Sequence, residues 1–359
     1  ALNSYTLTYP MPKNRVTLRD IAAATGKTPT TVSLALRSDR RVSKATREHI
    51  LRVADEMGYR PNPLVSAWMT QVQSGGRISK GSKLALIGPR GTERNSMISP
   101  YAYRRNLILA MRRRARELGY DGIDFFETED AEAPLGKLLR VIRARGIRGI
   151  LLPPFELAEK AMIRDFQYDD FVVVTAGYSQ NVNNTHTVAH DQYQVTYGIT
   201  EELLKRGYKR IGLTVSNEMQ VRTGRRYVGG FSGALFEHKA WSSSKSSVFL
   251  RTENGQPSAL EWVRKNRLDV VISQFPSDMD ALEDAGYKIP EDIGFCLLSV
   301  AESASSISGM FHDPALLGGA AVDLLSAHLS RNEYGMPDSL RTVLIPPQWV
   351  EAGTTRPPI

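Results

Sequence analysis

Cysteine is nearly missing from this 359-residue sequence: Cys296 is the single one, so no disulfide forms within the chain and a reducing compartment is expected. Long apolar runs are missing too. No stretch approaches the ~20 consecutive apolar residues that a membrane-spanning helix needs. The opening "ALNSYTLTYPMP" has neither a basic start nor a long apolar stretch, so it does not read as a secretory signal. These absences predict a cytoplasmic location and no membrane partner. Signatures of catalysis are absent as well: there is no H-E-x-x-H, no G-x-x-x-x-G-K-[ST] and no Cys/His cluster with metal-ligand spacing. "GGFSG" at 229–233 misses the spacing of a nucleophile elbow, and its glycines fit close helix packing better. "GPRG" at 88–91 lacks the lysine of a phosphate loop. The histidines are scattered, and His186 and His190 fit a loop or core role better than a metal site. No enzyme activity, metal or cofactor is expected.

What is present begins with charge. From Lys13 to Asn62 there are eleven Lys or Arg against five Asp or Glu, an excess of six, whereas the whole chain carries +8. Residues 1–12 carry no charged side chain. Most of the excess therefore sits in the first sixth of the protein, the footprint of a nucleic-acid-binding module rather than of a generally basic chain.

That segment contains "LRDIAAATGKTPTTVSLALR", two short helical patterns around one glycine. Thr17 caps the first, which carries Leu18, Ile21, Ala22 and Ala24, and Gly26 supplies a left-handed residue for a sharp turn. Thr28 caps the second, with Pro29 at the first helical position, where its missing N–H costs nothing. Val32, Ala35 and Leu36 form an apolar stripe facing the first helix. Thr30, Ser33, Leu34 and Arg37 take the other face, where they are able to touch phosphates and base edges. A third helix follows, capped by Ser43, with apolar positions Ile50, Leu51, Val53, Ala54 and Met57 and a stop at Gly58. The pattern reads as a helix-turn-helix, and an ordinary αα-hairpin is the alternative.

"VTLRDIAAATGKTPTTVSLALRSDRRVSKATREHILRVADEMGYRPNPL", residues 16–64, resembles the DNA-binding domain of the LacI/GalR-type bacterial repressors. The marks are V-T-L-x-D-I-A, T-V-S, V-S-x-x-T-R and G-Y-R-P-N, in order and without a gap. The resemblance implies a homodimer that sets the second helix of each subunit into the major groove of double-stranded operator DNA. Thr17, Thr28, Thr31, Ser33, Ser43 and Thr46 fall where phosphate contacts lie, and Thr30 matches a base-reading position. Tyr59 and Asn62 of the G-Y-R-P-N motif join the expected contacts. Two residues depart from the pattern: Pro29 replaces a common base reader, and Leu34 stands where arginine is frequent, an apolar group suited to a thymine methyl. After the Pro-Asn pair the resemblance implies a short hinge helix that orders on DNA, with Trp68 at the position of a minor-groove wedge and Val65 and Met69 nearby.

Residues 61–83, "PNPLVSAWMTQVQSGGRISKGSK", dissolve into linker composition, and beyond them strand and helix patterns alternate to the end of the chain. Alternation of that kind predicts parallel sheets. The expected fold is multidomain: a small all-α helix-turn-helix domain at 14–62, a hinge and linker at 63–82, and at 83–359 an α/β two-lobed domain. The last resembles the type I periplasmic-binding-protein fold of the same family. Its N-lobe is expected at 83–207 plus 300–331 and its C-lobe at 208–299 plus 332–355, with crossings around Gly207, Val300 and Arg331. The arginines of "MRRRAREL" at 111–118 read as a solvated face over a buried stripe of Leu107, Ile108, Met111, Ala115 and Leu118.

In such sheets ligands bind beyond the carboxyl ends of the strands. The resemblance implies effector contacts from Ser99, Pro100 and Tyr101, from Asp191 of "VAHDQ", and from the segment before "GGF", including Arg222, Arg225 and Tyr227. Tyr227 stands where an arginine is usual, and Gln274 lies in "VVISQFP", where many members carry an Asn-Asp pair. Asp191 also suits a helix cap. The function implied is a transcription regulator, in the manner of a repressor, whose DNA affinity responds to a small sugar-like effector. The rival is an α/β binding protein or enzyme whose N-terminal helices serve only oligomerisation.

Overall fold

The computed structural model describes residues 18–36, 42–57, 59, 82–89, 102–128, 135–154, 169–178, 184–239, 248–251, 259–301 and 305–359. The chain divides into two units, Ala1–Arg77 and Ile78–Ile359. Thr17, Arg37, Gly58, Asn62, Val65, Trp68, Met69, Ser99, Pro100 and Tyr101 lie outside the described residues.

Among the described residues the first unit holds three helices: α1 (Leu18–Thr25), α2 (Pro29–Leu36) and α3 (Lys44–Glu56). Local chemistry sets their ends. Gly26 takes φ 63°, a conformation that side chains with a Cβ adopt at a cost, and the chain turns there. The Thr31 N–H donates to Thr28 Oγ1 at 3.1 Å, and the Thr46 N–H to Ser43 Oγ at 3.3 Å. Ile21, Ala22, Val32, Ala35, Val42, Ile50 and Ala54 form the core, with Leu18, Leu34, Leu36, Met57 and Tyr59 packed against it. Two expectations need correction. Leu51 faces outward, 42% exposed, and Leu34 is half-buried against the core rather than standing clear of it. The eight-residue α2 packs against both α1 and α3, so more of it is covered than one apolar stripe, which the three-and-four spacing does not register.

The second unit is built on two six-stranded sheets. The N-lobe sheet contains β1 (Lys83–Pro89), β2 (Gly122–Thr128), β3 (Gly149–Leu152), β4 (Val172–Ala176), β5 (His186–His190) and β11 (Thr342–Ile345), in the order β11-β5-β4-β3-β1-β2, all parallel. The C-lobe sheet contains β6 (Ile211–Ser216), β7 (Val248–Arg251), β8 (Val270–Ser273), β9 (Gly294–Val300), β10 (Gly309–Phe311) and β12 (Gln348–Val350), in the order β12-β10-β9-β8-β6-β7. Only β12 in that sheet runs antiparallel to its neighbour.

Helices cover both sheets: α4 (Ala102–Glu117), α5 (Leu135–Ala144), α6 (Gln192–Lys205), α7 (Asn217–Arg222), α8 (Arg226–Glu237), α9 (Ala259–Asn266), α10 (Ser277–Asp284) and α11 (Pro314–Ser330). In α4, Leu107, Ile108, Met111 and Ala115 are buried as expected, whereas Leu118 lies beyond the helix end and is 39% exposed. Leu317, Ala321, Val322 and Leu325 of α11 join them in the N-lobe core with Leu84 and Leu86. Val195, Ile199 and Leu203 of α6 pack instead with Ile211, Leu213 and Phe231 in the C-lobe core.

These cores relocate the lobe crossings. The chain leaves the N-lobe between His190 and Gln192, returns between Phe311 and Pro314, and leaves again between Ile345 and Gln348, rather than near Gly207, Val300 and Arg331. β11 accordingly belongs to the N-lobe, paired with β5, and not to the C-lobe. The three crossings lie side by side: the Asp191 N–H donates to the Ile345 carbonyl at 2.9 Å, and the His190 and His312 rings stack with centroids 4.7 Å apart.

Candidate functional site

Two regions gather the residues singled out above. The first is the start of α2 and α3. Each helix opens with a hydroxyl residue that accepts the N–H three residues on, and in each the third helical residue is a threonine whose hydroxyl meets the capping one. The Thr28 and Thr31 hydroxyls are 2.9 Å apart, and Ser43 donates to Thr46 Oγ1 at 2.9 Å. A helix N-terminus carries partial positive charge, and exposed hydroxyls there add donors, so both ends are suited to phosphate oxygens. Thr28, Pro29, Thr30 and Ser43 are exposed, while Thr31, Ser33 and Thr46 are half-buried. Thr30 therefore stands on the open face of α2, and Tyr59 packs against the core of the unit with its N–H on the Ala54 carbonyl at 2.8 Å.

The second region is where the lobes join. Asp191 caps α6, its Oδ1 accepting the Tyr193 and Gln194 N–H groups at 3.1 and 3.2 Å. Tyr227 is buried in the C-lobe core; it pairs with Gln192, and its carbonyl accepts from Thr196 Oγ1 at 2.6 Å. Arg222 Nη2 reaches Met219 Sδ at 3.1 Å and lies within electrostatic reach of Tyr227. Arg226, beside Tyr227 in sequence, sets its guanidinium 5.7 Å from the centre of the Tyr178 ring. Arg225 is exposed at the start of α8, with φ 60°. Gln274, at the carboxyl end of β8, accepts the Ser216 N–H through Oε1 at 2.9 Å and so ties β8 to β6. The structure thus brings Asp191, Arg222 and Tyr227 to one junction, with Gln274 at the carboxyl end of β8 in the same C-lobe as Arg222 and Tyr227.

Sequence reasoning gave His190 only a loop or core role and did not single out Tyr103 or His312 at the same junction. Tyr103 Oη hydrogen-bonds His190 Nε2 at 2.9 Å, and His190 stacks on His312. Burial lowers His190 to about 4 and His312 to about 3, so both rings are neutral near pH 7. Burial likewise pushes the Tyr103 and Tyr227 phenols well above their usual range. One signal was available: His190 ends a strand and His312 stands two residues before the Pro314 that opens a helix, both places where a chain leaves a sheet edge.

His186, at the other end of β5 from His190, stacks on His328 with ring centroids 4.0 Å apart. That pair lines a half-open cavity of about 360 Å³ together with Glu333, Tyr334, Met336, Asp338 and Arg341. Glu333, paired with Arg331 and His328, is held down at about 2. Among the described residues no group of three or more His, Cys, Asp or Glu is arranged to hold a metal, and no helix is long and apolar enough to cross a membrane.

Comparison with known proteins agrees with this two-unit plan. Residues 17–62 match the family model for bacterial regulatory proteins of the lacI family, and residues 99–259 that for periplasmic binding proteins and the sugar binding domain of the LacI family. The HTH-type transcriptional repressor PurR of Haemophilus influenzae (strain PittEE) is 22% identical over 343 residues, covering 92% of this chain and 96% of that protein. The HTH-type transcriptional regulator DegA of Bacillus subtilis (strain 168) is also 22% identical, covering 96% and 99%. Among solved structures, a transcriptional regulator CelR–cellobiose complex aligns with TM-score 0.56 at 18% identity, over 95% of this chain and all of that one. The lac repressor dimer bound to operator and the anti-inducer ONPF aligns with TM-score 0.51 at 18% identity, over 96% and 100%.

Proposed function

Because the chain belongs to the LacI family of DNA-binding transcriptional regulators, we propose that it is a homodimeric, cytoplasmic repressor whose operator affinity is set by a small sugar-like effector held between the lobes. The observation that carries the reading is the pairing of two unlike devices in one chain. One is a basic three-helix unit whose α2 and α3 both open on exposed hydroxyl caps. The other is a two-lobed unit with a buried polar junction at its crossings.

The roles are those that the family resemblance implies. Thr28, Thr31, Ser33, Ser43 and Thr46, with Thr17 before them, meet phosphates, where a hydroxyl beside a helix N-terminus supplies a donor without sequence preference. Thr30, on the exposed side of α2, reads base edges together with Pro29 and Arg37, while Leu34 serves first as packing against the core. Tyr59, Asn62, Val65 and Trp68 continue the contact toward the operator centre. On the effector side Asp191, Arg222, Arg225, Tyr227 and Gln274 act with Ser99, Pro100 and Tyr101. An effector that prefers one lobe angle changes operator affinity, and operator must change effector affinity by the same factor.

The test is selection of an operator from random duplexes by the full chain, followed by affinity measurements across salt concentrations. A selected sequence is expected, with log affinity falling linearly against log salt at a slope of about −0.9 for each phosphate neutralised. Recovery of no preferred sequence, with only weak binding to any duplex, refutes the reading and favours a helical oligomerisation segment.

A further inference from the structure

Strand β5 ends on His190 at the lobe junction and begins on His186 at the far end of the N-lobe sheet. At that far end the loop 331–341, which joins α11 to β11, lines with His186 and His328 the half-open cavity of about 360 Å³. The loop is pinned at three points: the Glu333 N–H donates to the His328 carbonyl at 3.1 Å, the Gly335 N–H to the Phe171 carbonyl at 2.9 Å, and the Arg341 N–H to His186 Nδ1 at 3.1 Å. The walls of the cavity are therefore set by the chain's own bonds, and its volume lies within the ~300–1,000 Å³ usual for small-molecule sites.

The same bonds fix the protons of the two stacked rings. Burial holds His186 down at about 4 and lowers His328 as well, so both are neutral near pH 7. His186 Nδ1 accepts, so its Nε2 carries the hydrogen and donates. His328 Nδ1 meets the Glu333 carboxylate, which only accepts, so Nδ1 carries the hydrogen and Nε2 is an acceptor. Arg331 Nη2, 3.3 Å from that Nδ1, already donates to Glu333 Oε2 at 2.9 Å. His328 is more than nine-tenths buried, and its Nε2 has no hydrogen-bond partner. Buried polar groups are paired as a rule, so this nitrogen marks a place for a partner from outside the chain.

The charges around the cavity narrow what that partner is. Arg331 and Glu333 cancel in a two-bonded pair at 2.6 and 2.9 Å. Asp338 and Arg341 also line the cavity, and among the described residues neither makes an ion pair. The Arg341 charge acts on both imidazoles. A plain anion here meets Asp338 as well as Arg341, and a plain cation meets Arg341 as well as Asp338. A molecule that carries both signs in one small group satisfies the two together. Beside them Tyr334 and Met336, 41% and 49% exposed, offer an apolar wall, and a thioether adapts to many shapes.

We propose that this cavity is a second small-molecule site, which takes a free α-amino acid with an apolar side chain: the carboxylate on Arg341 and the His186 Nε2–H, the ammonium on Asp338 and His328 Nε2, the side chain against Tyr334 and Met336. The site is placed to act on the lobes. β5, α11 and β11 each run between this end of the N-lobe and one lobe crossing, β5 ending at His190, α11 beginning at Pro314 and β11 ending at Ile345. An occupant that shifts these elements shifts all three crossings, so it changes operator affinity, and operator must change amino-acid affinity by the same factor. The site stands independently of the effector held between the lobes, since it lies at the other end of β5 from Asp191.

The test is titration calorimetry of the full chain with L-leucine, L-methionine and L-phenylalanine. Each is paired with the amine that lacks its carboxylate, phenethylamine for phenylalanine, and with the acid that lacks its ammonium, 3-phenylpropionate for phenylalanine. At least one amino acid is expected to saturate, with both of its one-charge analogues at least tenfold weaker. Asp338→Asn and Arg341→Gln change exposed side chains, so each should weaken that amino acid at least tenfold while the melting temperature of the unliganded chain holds. Affinity for the selected operator should differ with and without the saturating amino acid. Silence of all three amino acids, a one-charge analogue that binds as tightly as its parent, or wild-type affinity in both variants overturns the site. Operator affinity that stays the same at saturation overturns its coupling to the lobes.

Discussion

Gly230 lies where α8 crosses α6, and replacing it by alanine should destabilise the C-lobe although alanine is the better helix former. A Cβ built there falls 2.0 Å from the Tyr193 carbonyl oxygen and 2.5 Å from Thr196 Oγ1. Carbon and oxygen in contact sit ~3.3 Å apart, so α8 must retreat by about 1.3 Å. The oxygen belongs to the backbone of α6 and cannot swing away. A retreat of that size strips dispersion contacts from Val195, Ile199 and Phe231, whose facing atoms lose a quarter to a half of their attraction for each ~0.5–1 Å of gap.

Overpacking of this kind costs ~1–3 kcal/mol, and a backbone contact belongs at the upper end. Against it stands the ~1 kcal/mol that alanine gains over glycine inside a helix. The net for Gly230→Ala is a loss of about 2 kcal/mol, a drop of roughly 1 M in urea midpoint at the slopes usual for small domains. Gly229 supplies the control. It is exposed, its Cβ would come no nearer than 3.8 Å to the Tyr193 ring, and Gly229→Ala should gain up to ~1 kcal/mol. Gly233→Ala meets only the Tyr193 hydroxyl, at 2.5 Å, on a side chain free to move, and should fall between the two. Urea unfolding followed by tryptophan fluorescence reads all three, since Trp262 and Trp349 both belong to the C-lobe. A Gly230→Ala midpoint equal to or above the parent at unchanged slope refutes the packing argument.

Acid should weaken the two-lobed unit through its neutral histidines. His190 and His186 are lowered to about 4 and His312 to about 3, so the unfolded chain binds protons first; their contribution is complete above the unfolded value near 6.5 and is lost as pH falls from there toward 3. Denaturation midpoints between pH 7 and pH 4 should fall, by up to ~1.4 kcal/mol per unit for each imidazole, and a flat profile refutes the burial assignment. Ser43→Ala removes the cap of α3 and should cost about 1 kcal/mol in the three-helix unit, with weaker operator binding at every sequence alike. Leu34→Ala should destabilise that unit by unfilling part of its core, and thymine-to-deoxyuridine replacement along the selected operator reports whether the same side chain also reads a methyl. For the hinge, Trp68→Leu should retain operator bending and Trp68→Ala should lose it; unchanged bending in the alanine variant moves the wedge to Met69 or Val65.

The parts of the fold that local chemistry decides were legible in the sequence. Thr28, Ser43 and Asp191 cap helices because a short polar side chain before an apolar-periodic run has one cheap use, and Gly26 turns the chain because only glycine takes that φ freely. The alternation of strands and helices gave two parallel sheets for the same reason. The lobe crossings were not legible, since α6 and α11 carry apolar stripes that would pack on either sheet, and nothing within "TVLI" says that it pairs with β5. The junction suffered most from this. His190 and His312 lie far apart in sequence, each unremarkable alone, and only the fold stacks one on the other. Asp191 reads both as cap and as ligand contact, and the cap is what the structure shows.

The placement of β11 matters for how the protein is made. The N-lobe begins at β1, yet its core is filled by α11 and its sheet is finished by Thr342–Ile345, close to the end of the chain. A chain emerging from the ribosome therefore completes the C-lobe strands β6 to β10 while the N-lobe still shows the open edge of β5 and the apolar faces of Leu84, Leu86 and Leu107. The C-lobe too is finished late, by β12 at Gln348–Val350, but the N-lobe waits longer between its first strand and its last. Its final strand joins a partner 155 residues upstream, counted from His186 to Arg341 beside it, a separation that slows pairing and lengthens the time an unpaired edge is open to other chains.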